Sequence, residues 1–443
     1  MTNYTAPSPI YRWCLYLLLS LPLLLIHYGL DRTQSGLLIG LYTFSFIPFA
    51  IIASKWERND LIREAIIVGM LLRLLFIPGL PILSDDGFRF IWDGQLQING
   101  INPYSYTPTE IISNNYLDAD RGGLNKELYN QLNSKDYYSI YPPLAQVSFY
   151  LSGLLSFGNK AIQLSILQFM FWIFDCISIL SIPVILRKLH LPLKNTLLYV
   201  LNPLIIIELS GNIHMEQPMI AFIIIGLRLF LEKRQIFSAV CIGIALGFKF
   251  TPLFLLPLLI IPLGLRSTIK ISTISLLVFV ACYLIYLNPQ MIDNILNSAG
   301  LYFHTFEFNG AFYYLYKLGG NSSVELQSIF KWLLPTLTVL VILLLSLSKT
   351  INLQTKLLIG FSVYLLFSTT VHPWYITPLI LASAFTTIRF PQVWSFLIFL
   401  TYVTYSTAAY TESYIMITAE YLIVLGYLIY EYKKFRAIKK GIN

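Results

Sequence analysis

The sequence predicts an all-α fold, a polytopic transmembrane helical bundle of about 12–14 spans, whose large first extracytoplasmic loop carries juxtamembrane helices. Three observations predict it. Of the 443 residues, 56% are hydrophobic and only 12% charged, and the mean hydropathy is +0.67; soluble domains sit nearer 45–50% apolar. Apolar runs long enough to cross about 30 Å of hydrocarbon recur from one end to the other. The longest polar stretch covers residues 84–142, too little for a separate soluble domain, so 1–443 reads as one integral membrane domain containing a loop at 84–143.

The threading begins with the N-terminus inside. Arg12 precedes an apolar run as in a signal peptide, but no small-residue cleavage site follows, and the segment reads as a retained first helix. Spans near 13–30, 35–54 and 64–83 then carry the chain outside. A span near 162–186 brings it back to Arg187, Lys188 and Lys194. Further spans fall near 195–210, 218–232, 235–247, 252–265, 271–288, 328–347, 356–371, 374–388, 391–408 and 414–432. The apolar stretch 144–158 is short and reads as interfacial or half-inserted, because a full crossing there would put Arg187 outside.

This threading obeys the positive-inside rule. The clusters Lys55/Arg58/Arg63, Lys233/Arg234, Arg266/Lys270, Lys349/Lys356 and Lys433/Lys434/Arg436/Lys439/Lys440 all fall inside. The net charge of +8 is therefore a topological signal, with no nucleic-acid partner implied. Cys14, Cys176, Cys241 and Cys282 stand at unrelated spacings in apolar runs, and read as buried free thiols without a disulfide or zinc pattern.

Five polar or aromatic patches land on the outer side: 85–104, 211–217 with His214 and Glu216, 248–252 with Lys249, 303–309 with His304 and Glu307, and 372–375. The first is the densest. Asp85, Asp86 and Asp93 share it with Arg89, Phe88, Phe90 and Trp92, directly after an apolar run. Ionisable residues at a membrane boundary are costly to desolvate and mark a functional site by default.

Metal binding is disfavoured, because the aspartate spacing matches no calcium loop and Arg89 repels a divalent ion. His214 and Glu216 lack the paired-histidine spacing of zinc enzymes, and no Ser, Cys or Thr sits in a nucleophile elbow. No cofactor is expected. The set suits group transfer from a lipid phosphate to a hydroxyl. A carboxylate takes the acceptor proton, and cations hold the departing phosphate. Arg89, Lys249 and His372 are the candidate phosphate partners. The plainer alternatives pair Arg89 with Asp86 or Asp93, let Lys249 snorkel and make His372 a helix cap.

Asp85-Asp86, Arg89-Phe90, Trp92-Asp93-Gly94, Asn102-Pro103-Tyr104 and Tyr141-Pro142-Pro143-Leu144 together resemble the first outer loop of GT-C-type glycosyltransferases. The nearest are bacterial polyprenol-phosphate-mannose-dependent mannosyltransferases; the enzyme adding the first mannose of the GPI anchor is more distant. Phe248-Lys249-Phe250-Thr251-Pro252 and Val371-His372-Pro373-Trp374-Tyr375 are similar to segments of that GPI enzyme. Asn202-Pro203-Leu204 with Glu208, and His214-Met215-Glu216, resemble the bacterial members.

The resemblance runs over roughly residues 64–380. It implies a GT-C fold, a polyprenyl-phosphate sugar donor, inversion at the anomeric carbon and a catalytic aspartate in the first large loop. It also implies a bacterial cytoplasmic membrane, with the site facing the periplasm or exterior, and a glycan or glycolipid acceptor. The aspartate role carries over to Asp86, with Asp85 as contender. Trp92, Asp93, Asn102, Tyr104, Tyr141, His214, Glu216, Trp374 and Tyr375 are the expected substrate-binding residues. The rival reading is a transporter or flippase of lipid-linked sugars, which would place its decisive charges at the bilayer midplane, where only Asp175 lies deep in a span.

Overall fold

The computed structural model describes residues 7–114, 123–315, 324–407 and 410–439. Residues 115–122 of the outer loop, the side chain of His304 and Lys440 of the basic tail lie outside the described residues. Among the described residues the chain is helical, with one isolated extended bridge between Phe308 and Thr370.

Six helices are long and apolar enough to cross a membrane: Pro9–Gly29, Ser35–Lys55, Lys160–Lys188, Leu265–Tyr286, Leu326–Leu347 and Tyr414–Ala437. A pair bent by 46°, Leu193–Val200 with Pro203–Gly211, makes a seventh if it counts as one span. That is fewer full-length spans than the 12–14 expected; several of the expected spans break at proline, although Pro22, Pro48, Pro183 and Pro335 lie inside long helices that stay whole. The run at 252–265 opens as a 3-10 helix, Thr251–Leu259, containing Pro252 and Pro257. The run at 374–388 splits at Pro373 and Pro378, and that at 391–408 becomes the short helix Phe390–Leu397 followed by a 3-10 turn. The helix Asn59–Leu74 stops ahead of Pro78-Gly79, leaving 75–83 irregular. Proline lacks the N–H that a continuing helix needs, and its ring clashes with the preceding turn. The segment 144–158 forms the helix Pro143–Leu155 of 13 residues, well short of the ~20 that cross a bilayer.

The long helices are apolar all round. In Pro9–Gly29, Leu15, Leu19, Leu23 and Ile26 are buried at three- to four-residue spacing, while Leu17, Leu18, Leu21 and Leu25 are exposed. Helices of this kind face lipid with one side and protein with the other. The cysteines are free, yet Cys14 is exposed and the other three only half-buried, because each stands towards such an outer face.

The chain divides into two compact units: Met1–Leu72, Ile182–Glu208 and Glu307–Asn443 form the first, and Arg73–Ser181 with Leu209–Phe306 the second. In the first, Tyr42 stacks on Phe399 at 3.7 Å and donates to the Ser395 carbonyl at 2.6 Å. Asn202 donates to Gln392 Oε1 and Ser395 Oγ, and Tyr402 donates to buried Glu208. Residues 202 and 208 are thus tied into the helical interior.

In the second unit, the helix Asp86–Ile98 packs on Pro143–Leu155. A Cβ at Gly94 would lie 2.5 Å from the Phe149 carbonyl oxygen, so glycine is what lets these two helices approach so closely. Leu144 N–H donates to the Gly247 carbonyl at 2.9 Å, joining the same pair to the end of the helix Gln235–Leu246. Deep in this unit Arg73 and Asp175 form an ion pair at 2.5 Å, with neither side chain exposed.

Candidate active site

Three segments of the second unit build the site. The first is the start of the helix Asp86–Ile98, with Asp85 just ahead of its first turn. The second runs through 209–217, where a π-helix, Ile206–Gly211, gives way to a tight turn. Ile213 there holds a left-handed backbone with φ 60°. A β-branched residue takes that conformation at a steric cost, and such costs cluster at ligand sites. The third is the break at Lys249, between Gln235–Leu246 and the proline-led 3-10 helix.

Hydrogen bonds and charge lock the segments together. Leu83 N–H donates to Asn212 Oδ1 at 3.2 Å, fixing the approach to Asp85. Lys249 Nζ forms an ion pair with Glu216, whose side chain is almost wholly buried while that of Lys249 stays partly exposed. Asp86 is half-buried, and its side chain accepts a long hydrogen bond from Asn133 at 3.4 Å. Burial raises the Asp86 carboxyl above the ordinary aspartate range; His214, the Asn133 hydrogen bond and Lys249 pull it down, and neighbouring Asp85 adds to the rise. Asp86, Asp85, His214, Glu216 and Lys249 are therefore brought into one electrostatic cluster. A desolvated carboxylate with a raised pKa is suited to taking a proton.

The remaining loop residues are built into its walls. Arg89 Nε pairs with Asp93 Oδ1 at 2.8 Å, and Nη1 donates to the carbonyls of Ser134 and Tyr137. Ser139 Oγ and Gln146 Nε2 donate to Asp93 Oδ2 at 2.5 and 2.8 Å. Arg89 is 3% exposed and Asp93 0%, so the guanidinium expected at phosphate is held inside. Asn102 donates to the Tyr286 carbonyl, and its Oδ1 accepts from Tyr104 N–H. Tyr104 O–H donates to the Tyr141 carbonyl at 2.6 Å, and the Tyr141 ring packs edge-on against Phe90 and Phe149. Trp92 and Tyr104 are wholly buried. These side chains, expected at substrate, fix the course of the loop.

His372, Trp374 and Tyr375 belong to the first unit. The His372 ring lies between Phe308 at 4.6 Å and Trp374 at 4.4 Å, with Tyr375 edge-on at 5.3 Å. Phe308 is held there by backbone pairing: its N–H donates to the Thr369 carbonyl and its carbonyl accepts from Val371 N–H. The side chain of Glu307 accepts from Tyr313 and Gln327 and lies 3.7 Å from Lys331.

Sequence reasoning missed Asn133, Ser139, Gln146 and Asn212 as parts of the site. Asn212 lies inside the polar patch 211–217, where its neighbours drew the eye. No local signal marks the others, since their partners stand more than 40 residues away in sequence.

The chain thus joins helices apolar enough for a membrane to a half-buried carboxylate beside His214 and Lys249, a set that suits group transfer. Residues 36–264, just over half of the chain, match the MptA_B family, described as alpha-(1->6)-mannopyranosyltransferase, N-terminal domain. The chain belongs to this family and is a membrane mannosyltransferase. The matched stretch contains Asp85, Asp86, His214, Glu216 and Lys249; His372, Trp374 and Tyr375 lie beyond it. No curated protein and no solved structure matches the chain.

Proposed function

We propose that this mannosyltransferase, with a GT-C-type fold, takes its sugar from a polyprenyl-phosphate donor at the outer face of a bacterial cytoplasmic membrane and passes it, with inversion, to a hydroxyl of a glycan or glycolipid. The observation that carries this reading is the cluster of Asp86, His214 and the Glu216–Lys249 pair. Asp86 removes the acceptor proton. The acceptor oxygen bonds to the anomeric carbon as the bond from that carbon to the phosphate oxygen breaks. The electron pair leaves with the polyprenyl phosphate, and direct displacement inverts the configuration.

Lys249, oriented by Glu216, neutralises the departing phosphate, where a charge-assisted hydrogen bond is strongest. Asp85 shapes the turn and raises the basicity of Asp86 through its charge. Arg89, Asp93, Asn102, Tyr104 and Tyr141 act by holding the loop that presents Asp86. Within the first unit, His372 between its two rings, with Trp374 and Tyr375 beside it, suits an anionic or sugar group.

The test is transfer by the purified full chain in lipid nanodiscs, from polyprenyl-phosphate mannose against nucleotide-linked mannose, with the product's anomeric configuration read by NMR. Transfer from the lipid donor alone, with inverted configuration, supports the reading. Transfer from the nucleotide sugar or retention overturns it. For sidedness, Asn114→Cys is expected to react with an impermeant maleimide in permeabilised-outer-membrane cells; labelling only after inner-membrane lysis reverses the topology.

A further inference from the structure

Gln217 follows Glu216 in the first turn of the helix Glu216–Leu231 and is 1% exposed. Among the described residues, neither its amide oxygen nor its amide nitrogen has a hydrogen-bond partner. A buried amide with both ends unmade is rare in a folded protein and asks for a ligand or a water. A further unpaired buried atom, Trp92 Nε1, belongs to the apolar cluster that contains Ile213 and Met215, the residues on either side of His214. Gln217 thus stands directly after the segment that carries the strained Ile213, His214 and Glu216.

An amide presents one acceptor and one donor side by side. That pair complements two neighbouring hydroxyls of a sugar, each of which donates and accepts. We propose that Gln217 is a specificity-determining residue that reads two adjacent hydroxyls of the transferred hexose. The proposal rests on the donor reading above and adds which group recognises the sugar. The two amide atoms, without a protein partner, are left two hydrogen bonds to make. The bound hexose makes both, and a sugar lacking either hydroxyl leaves one buried polar atom bare. Sites built to hydrogen-bond a substrate hydroxyl reject analogues lacking it strongly.

The experiment compares wild type and Gln217→Met in nanodiscs, with polyprenyl-phosphate mannose and its 2-, 3-, 4- and 6-deoxy analogues. Wild type is expected to lose about ten-fold or more in kcat/KM for two adjacent deoxy positions. Gln217→Met is expected to erase those two penalties, keep the others, and melt no lower than wild type without donor, because it removes two unpaired polar atoms. Should Gln217→Met fail to accumulate, Gln217→Glu, which keeps the shape and loses the donor, is expected to erase at least one penalty.

A variant that keeps every deoxy penalty, or slows all donors equally, overturns the proposal and leaves the amide to an ordered water. A wild type that moves no mannose from the lipid donor overturns the parent reading as well, so the two failures are told apart.

Discussion

Asp86 and Asp93 stand two turns apart on one helix, and the protein treats them in opposite ways. Asp93 is fully buried and takes hydrogen bonds on both oxygens, from Arg89, Ser139 and Gln146. Asp86 is half-buried, its hydrogen bond from Asn133 is long, and its pKa is pushed up by desolvation. A carboxylate desolvated without full compensation is ready to accept a proton. The same motif therefore holds one aspartate of that kind and one saturated with donors, and only the partners tell them apart.

The comparison breaks most sharply at Asp86. Asp86→Asn keeps the shape and removes proton acceptance, with an expected loss of about 10²–10⁴-fold in turnover and a detergent melting midpoint close to wild type. An active Asp86→Asn beside an inactive Asp85→Asn moves the base one residue upstream. Asp93→Ala is the converse. It leaves Arg89 buried without its anion and is expected to destabilise the protein by about 3–5 kcal/mol, seen as a lower melting midpoint and poor accumulation. A stable but inactive Asp93→Ala would give that aspartate the chemical role instead.

A smaller effect is expected at Lys249. Lys249→Met removes a charge-assisted bond to phosphate, about 1.5–3 kcal/mol, and is expected to appear at limiting donor; normal turnover there returns Lys249 to a mere partner of Glu216.

The smallest expected effect is a displacement in pH. Because burial raises the folded-state pKa of Asp86, its basic form is lost as pH falls through a value above that of an ordinary aspartate. The acid limb of kcat/KM should therefore lie above about 4. By the same sign, the folded chain binds that proton more tightly than the unfolded one, so Asp86→Asn should not lower stability at neutral pH. An acid limb at or below 4 removes Asp86 from the titration.

Helix content and membrane class were legible because composition alone dictates them. The gathering of Asp86, His214, Glu216 and Lys249 was legible from the alternation of basic loops, which put all four on one side. Helix lengths were not. Pro252, Pro257 and Pro373 sit in runs whose hydropathy hides the break, since apolarity reports solvent preference and not hydrogen-bond continuity. The anchoring of Arg89 and Tyr104 was not legible for a related reason. Their partners Ser134, Tyr137 and Tyr141 come from the far end of the loop, and chemical type alone does not say which backbone groups a side chain meets.

The Arg73–Asp175 pair bears on how the protein is made. A ribosome delivers the cation long before the anion. Arg73 stands in the last turn of the helix Asn59–Leu74, where a bare arginine costs less than the about 2.5–3.5 kcal/mol of a helix centre. It has no Asp175 to pair with until the helix Lys160–Lys188 has been synthesised. Charge neutralisation then ends the wait, and the order of translation becomes an order of assembly.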